Sequence, residues 1–88
     1  MRPYQALLKK FLSRRACDYR MEQQYSQERM AEVLHITPRS YIDLEHGKYG
    51  FSTLTFIFFL IALPENEVIK LLQDFRDLTE RSDHNDAA

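Results

Sequence analysis

The sequence predicts an all-α protein, a compact bundle of five helices that contains a helix-turn-helix and adds a C-terminal helix. The chain has two glycines and three prolines among its 88 residues, so it lacks the turn residues of a β-rich fold. Within residues 26–48, two sets of capping residues each mark the start of a helix. Apolar residues recur at helical spacing on both sides of that stretch.

One domain is predicted over residues 1–81, with a disordered tail over residues 82–88. A chain of 88 residues is close to the size at which a single core is only just sufficient. At 44% hydrophobic and 28% charged residues, its composition is that of an ordinary globular protein. The tail is polar, and its only apolar residues are two alanines at the end of the chain.

The first helix is predicted from Pro3 to about Gln23. Apolar residues recur there at helical spacing, and basic residues lie mainly on the other side. Most of those basic residues are expected to form a solvated face. Three arginines of this helix could reach a phosphate if the helix flanks a nucleic acid: Arg14, Arg15 and Arg20.

The central stretch predicts two short helices joined by a tight turn. Ser26 and Thr37 can each accept a hydrogen bond from the free N–H groups at the start of a helix. Pro38 suits the first turn of the second of these helices, which needs no N–H there, and Gly47 suits its end. A helix pair of this kind is a helix-turn-helix, with a recognition helix over residues 38–46.

The residues of this stretch also resemble a known family. Ser-Gln-Glu-x-Met-Ala-x-x-Leu begins at Ser26, and Ile-Thr-x-x-Ser-Tyr-x-x-Leu-Glu-x-Gly-Lys ends at Lys48. This order resembles the Cro and phage-repressor class of helix-turn-helix domains, the XRE class, with matching spacing from about Ala16 to Leu63. The resemblance implies a lambda-repressor-like fold that binds double-stranded DNA. His35 departs from the pattern, because the family usually has a glycine at this position in the turn.

Contacts to DNA are expected from the start of each motif helix. A helix N-terminus presents free N–H groups and a partial positive charge, so Gln27 is expected near a phosphate, unless it is simply solvated. Arg39 is the best candidate to read a base, because a guanidinium can bind O6 and N7 of guanine together. Asp43 lies four residues later and can pair with Arg39 instead. The candidate DNA-binding residues are Gln27, Thr37, Pro38, Arg39, Ser40, Asp43, Lys48 and Tyr49.

The segment from Ser52 to Leu63 is predicted to be a helix that is apolar on all sides. Its outward positions carry Leu54, Phe58 and Ile61, and a second element must cover them. That element is the C-terminal helix, the same helix of a second chain, or both. The residues assigned to the inward face are Phe56, Ile57, Phe59, Leu60 and Leu63.

The C-terminal helix is predicted over residues 65–81, after the break at Pro64. Its main apolar residues follow a 3–4–3 spacing, which forms one stripe along a helix. The chain has more apolar surface than one copy can bury, so a homodimer is expected. The predicted dimer-interface residues are Leu54, Phe58, Ile61, Val68, Leu71, Phe75 and Leu78.

Charge is distributed unevenly along the chain. Residues 1–50 hold nine Lys and Arg against six Asp and Glu, which gives +3, and residues 51–88 hold three against seven, which gives −4. Only the N-terminal half therefore supplies the basic footprint of a nucleic-acid-binding module. This predicts modest, salt-sensitive affinity for DNA.

Other classes of function find no support in the sequence. It contains no nucleophile–base pair and no phosphate-binding glycine loop, so we expect no enzyme, no catalytic residue and no cofactor. His35 and His46 are not spaced as metal ligands, so no metal is expected. The apolar segment 51–63 has 13 residues, short of the roughly 20 that span a bilayer. Cys17 is the single cysteine, which suits the reducing cytoplasm.

The leading hypothesis is a sequence-specific DNA-binding transcriptional regulator that acts as a homodimer. Two-fold symmetry would place two recognition helices in successive major grooves, about 34 Å apart. The alternative is a module with a helix-turn-helix fold that binds a protein partner and no longer reads DNA. Pro38, Asp43 and the acidic second half of the chain favour the alternative.

Overall fold

The computed structural model describes the backbone of residues 4–87 and the side chains of residues 4–83. No strand occurs in that part of the chain, so the prediction of an all-α fold with five helices is confirmed. The five helices are α1 (Tyr4–Glu22), α2 (Gln27–Leu34), α3 (Pro38–Glu45), α4 (Thr53–Ala62) and α5 (Glu65–Ala87).

Three short helices begin at a hydroxyl cap. The side-chain oxygen of Ser26 accepts a hydrogen bond from the Arg29 N–H at 3.0 Å. Thr37 and Ser52 do the same for the third N–H of α3 and of α4, each at 3.1 Å. Such a cap contributes about 1 kcal/mol of stability. The caps predicted at Ser26 and Thr37 are confirmed, and Pro38 occupies the first position of α3 as predicted.

A tight turn joins α2 to α3, and His35 takes its left-handed position with φ 60°. The next N–H, that of Ile36, closes the helix end on the Ala31 carbonyl at 3.0 Å. A left-handed residue other than glycine costs about 1–2 kcal/mol. The His35 ring stacks on Phe58 with centroids 4.0 Å apart, and such a contact contributes about 0.5–1.5 kcal/mol. The contact to α4 therefore largely offsets the free-energy cost of a histidine, in place of glycine, at this left-handed position.

The core lies where α2 and α3 pack on each other and on α1 and α4. Tyr41, Phe59, Met30 and Leu34 are the largest side chains that are fully buried. Ala31 is also buried, and its small side chain lets α3 approach α2 closely. The other buried apolar residues are Leu12, Ala16, Leu44 and Leu71.

Helix α5 packs along α1 rather than over α4. The rings of Phe75 and Phe11 lie 5.2 Å apart, and Arg15 of α1 forms a salt bridge with Asp74 of α5. No helix among the described residues is long and apolar enough to cross a bilayer.

The predicted end of the C-terminal helix was wrong. The sequence predicted a helix over residues 65–81 and a disordered tail over 82–88, but α5 continues to Ala87. Residue 88 lies outside the described part. The last turns lie beside the start of α1, where the Tyr4 hydroxyl donates a hydrogen bond to Asp83. Polarity of the local sequence does not reveal this contact, because it joins the two ends of the chain.

Candidate nucleic-acid interface

The N-terminal end of α3 projects from the bundle. Thr37, Pro38, Arg39 and Ser40 are all exposed. The Thr37 hydroxyl accepts from the Ser40 N–H and donates to the Ser40 hydroxyl at 2.9 Å. The residues predicted to enter the groove therefore lie together on one exposed helix end.

Arg39 is the most accessible arginine of the motif, with a side chain that is 79% exposed. Its Nε lies 3.6 Å from Oδ1 of Asp43, whose side chain is 16% exposed. The structure thus contains the pairing with Asp43 that the sequence left open. An exposed pair of this kind contributes at most about 1 kcal/mol, so a guanine or a phosphate can compete for the guanidinium.

The side-chain amide of Gln27 is held by a hydrogen bond to another helix. Its Nε2 donates to Oε1 of Glu45 at 3.1 Å, and the residue is half-buried at the first position of α2. An amide carries two N–H donors. One of them is committed to Glu45, which leaves the other and the helix N-terminus for a phosphate.

Glu45 is the centre of a buried polar network between α1, α2 and α3. Arg20 binds both of its carboxylate oxygens, through Nε at 2.8 Å and Nη2 at 3.0 Å. The Tyr41 hydroxyl donates to the same carboxylate. Arg20 also donates through Nη1 to the carbonyl of Tyr25 at 3.1 Å. The Arg20 and Glu45 side chains are 17% and 8% exposed. Arg20 is therefore a structural residue, and its prediction as a phosphate ligand was wrong.

The electrostatics of this network favour the charged pair. Burial raises the pKa of Glu45, but the hydrogen bonds from Arg20, Tyr41 and Gln27 outweigh it and hold that pKa below its ordinary value. The hydrogen bond to Glu45 raises the pKa of Arg20. Burial, followed by the bond to Glu45, raises the pKa of Tyr41. The ends of α1, α2 and α3 are thus fixed relative to one another through one carboxylate.

The loop after α3 carries the other predicted contacts. Gly47 ends the helix with φ +76°, as predicted, and the Lys48 N–H donates to the Asp43 carbonyl at 2.8 Å. The Lys48 ammonium lies 5.5 Å from the centre of the Tyr49 ring. Tyr49 is 59% exposed. Lys48 and Tyr49 are thus accessible to a ligand beside the C-terminal end of α3.

Arginines and lysines of the N-terminal half differ in their partners. Each arginine described there forms a salt bridge with a carboxylate. Lys9, Lys10 and Lys48 have no carboxylate within 4.0 Å among residues 4–83. The positive charges near the motif that no carboxylate pairs with therefore belong to lysines. The sequence placed Lys9 with the basic residues opposite the apolar side of α1; in the structure Lys9 is exposed and stands three residues before the buried Leu12.

Part of the apolar surface of α4 is left uncovered by the residues that the structure describes. Leu54 and Ile61 are 66% and 71% exposed, and Ile57 is 45% exposed. The assignment of Ile57 to the inward face was therefore wrong. Phe58 is half-buried because its ring packs on His35, so it is not the centre of a free surface.

The predicted interface stripe of α5 faces its own chain. Leu71 is 3% exposed and belongs to the core, Phe75 packs on Phe11, and Leu78 lines a groove with Leu7 and Phe11. Val68 is half-buried. The assignment of Leu71 to a dimer interface was therefore wrong, whereas Phe75 and Leu78 are half-buried and their assignment stays a prediction.

The exposed apolar residues of α5 are Ile69 and Leu72, at 57% and 56%. Each follows directly after a residue of the predicted stripe. A one-residue step rotates a position by about 100° around a helix, so the exposed apolar residues of α5 lie beside the predicted stripe and not on it.

The described side chains bring no three His, Cys, Asp or Glu residues together as metal ligands. No protein-family model matches the chain, and no curated protein or solved structure matches it either. The arrangement of these residues is therefore the basis for assigning a function.

Proposed function

We propose that this protein is a sequence-specific DNA-binding transcriptional regulator, with α3 inserted in the major groove. The observation that carries the proposal is the exposed N-terminal end of α3, where the side chain of Arg39 is 79% exposed. Helix-turn-helix proteins contact base edges from this end of the second motif helix. A bidentate arginine–guanine contact discriminates against the wrong base by about 1–3 kcal/mol.

Residues close to α3 in the chain are suited to binding the phosphate backbone of DNA. Gln27 stands at the start of α2, before the recognition helix in the chain, and Lys48 stands in the loop that follows it. Phosphate contacts of this kind position a protein on DNA without reading its sequence. Because the motif arginines are paired with carboxylates, affinity is expected to be modest and to fall as salt is raised.

The experiment is fluorescence anisotropy of a labelled duplex taken from the DNA upstream of the protein's own gene. It is repeated across a salt series and with a scrambled duplex of the same length. The proposal predicts tighter binding to the upstream duplex and a linear fall of log K with log salt. Equal affinity for both duplexes would contradict specificity, and no binding at low salt would contradict DNA binding altogether.

The proposal includes a homodimer, whose interface we assign to the exposed apolar residues of α4 and α5. Leu54, Ile57 and Ile61 lie on one face of α4, and Ile69 and Leu72 are exposed on α5. Complete burial of each such side chain would contribute about 1.5–3 kcal/mol. A second copy is the partner that a two-fold DNA site requires, because two recognition helices must reach successive grooves.

The dimer is tested by the molar mass in solution of wild type and of Ile61→Glu. Since Ile61 is 71% exposed in one chain, the charge should separate the dimer into folded monomers. Met21→Glu is the matched control, because Met21 is 64% exposed but lies on α1, and it should leave the dimer intact. A wild type that is monomeric at tens of micromolar, or equal masses for both variants, would contradict this interface.

A protein-interaction module remains the second candidate, and the uncovered apolar face of α4 favours it. In that case a different protein would cover Leu54 and Ile61, and Arg39 would stay paired with Asp43. A monomeric wild type without DNA binding would favour this candidate. For either function we place the protein in the cytoplasm, since its single cysteine, Cys17, is free.

A further inference from the structure

Lys9 of α1 lies against the loop that follows the proposed recognition helix. A β-carbon added to Gly50 would be 3.7 Å from Cγ of Lys9 and 3.9 Å from Cδ. The aliphatic part of Lys9 therefore lies next to Gly50, where an added β-carbon would be in ordinary van der Waals contact with it. Lysine commonly packs its stem in this way and keeps its ammonium group in water.

The position of Lys9 follows from the face of α1 on which it stands. Leu12 and Ala16 are buried on that face, three and seven residues later, and Arg20 continues it to reach Glu45 of α3. Residues with these spacings share one side of a helix. This side packs on α3, so Lys9 is held beside the loop that ends α3.

Lys9 and Lys48 thus stand at the same loop, Lys48 within it and the stem of Lys9 against Gly50. Neither has a carboxylate within 4.0 Å among the side chains of residues 4–83. The arginines of the same region are paired, Arg20 with Glu45 and Arg39 with Asp43. This loop is therefore where positive charge beside α3 is left free to bind an anion.

We propose that Lys9 is a phosphate-binding residue, which acts beside Lys48 on the DNA backbone that flanks the groove entered by α3. The inference rests on the proposed DNA-binding function and adds to it a contact from α1, outside the helix-turn-helix. A lysine bound to a phosphate releases a counterion and contributes affinity without sequence preference. Lys9 therefore raises affinity for every duplex to the same extent.

The test compares Lys9→Met with Lys10→Met, since methionine keeps an unbranched apolar side chain and removes the charge. Lys10 is the matched control, because it is exposed on the same helix but lines a groove with Leu7 and Leu78 on the side of α5. Binding to the preferred and the scrambled duplex is measured by anisotropy across a salt series. Equal melting temperatures establish that both variants are folded.

Lys9→Met should reduce the slope of log K against log salt by about 0.9. Its affinity should fall by the same factor on both duplexes, and Lys9→Arg should restore the wild-type slope. Lys10→Met should keep that slope. If wild type binds DNA and Lys9→Met keeps the wild-type slope, this inference is wrong and the proposed function stands. If wild type binds no duplex, both are wrong.

Discussion

Helix α3 takes part in two arginine–carboxylate pairs, one near each of its ends. Near the N-terminal end, Arg39 lies 3.6 Å from Asp43, and the two side chains are 79% and 16% exposed. At the C-terminal end, Glu45 lies 2.8 Å from Arg20 of α1, and the two side chains are 8% and 17% exposed. Both pairs join a guanidinium to a carboxylate, but they differ in how far their side chains are exposed to solvent.

Burial gives these two pairs different roles. The Arg39 side chain is largely in water, where the attraction between charges is weak and a long side chain stays mobile, so Arg39 can leave Asp43 at little cost. In the interior a lone charge is strongly penalised, so Arg20 and Glu45 depend on each other. Under the proposed function, Arg39 would exchange Asp43 for DNA, whereas the buried pair fixes the helix that presents Arg39.

The largest expected effect is on stability at the buried pair. Arg20→Met leaves the Glu45 carboxylate buried without its main donor. We expect a loss of about 3–5 kcal/mol in the free energy of unfolding. The matched variant Arg39→Met should change it by less than about 0.5 kcal/mol. Urea denaturation followed by circular dichroism measures the free energy of unfolding of both variants. Similar losses for the two would contradict the different structural roles of the two pairs.

The exposed pair should matter for DNA binding instead. Arg39→Ala should weaken binding to a preferred site by about 1–3 kcal/mol, with a smaller effect on a scrambled duplex. Gln27→Ala should weaken binding to both duplexes by the same factor, because a contact to the DNA backbone carries no sequence information. Anisotropy on folded protein gives both values. Equal losses on both duplexes for both variants would show that these roles are misassigned.

The smallest effect is a pH dependence that belongs to the buried pair. The pKa of Glu45 is lowered in the folded state, so its contribution to stability is present above its unfolded pKa, about 4.3. That contribution is lost as the pH falls through the folded value. The stability difference between wild type and Glu45→Gln should therefore shrink from pH 7 to pH 3. A difference that stays constant over thermal melts in this range would contradict the prediction.

Local features of the fold could be predicted from the sequence. The caps at Ser26 and Thr37 act on N–H groups only three residues away, and Gly47 ends its own helix. The two partners of such an interaction are close together in the sequence, so the sequence shows both at once. The five-helix fold followed from them and from apolar periodicity.

Contacts between distant segments could not be predicted in the same way. The hydrogen bond from Gln27 to Glu45 joins residues 18 positions apart, and Tyr4 meets Asp83 across 79 positions. Apolar spacing identified a stripe on α5 but did not tell which neighbour it packs on. Leu71 was therefore assigned to a second chain, whereas the adjacent Leu72 is the exposed residue.

The most direct test of the central claim is the change in backbone amide shifts when unlabelled duplex DNA is added to ¹⁵N-labelled protein. The claim is that the exposed end of α3 binds DNA while the buried network only supports it. We predict the largest shift changes at Arg39 and Ser40, followed by Lys48 and Tyr49, with small changes over residues 54–61. Changes confined to residues 54–61, or none at Arg39 and Ser40 under conditions in which DNA binds, would contradict it.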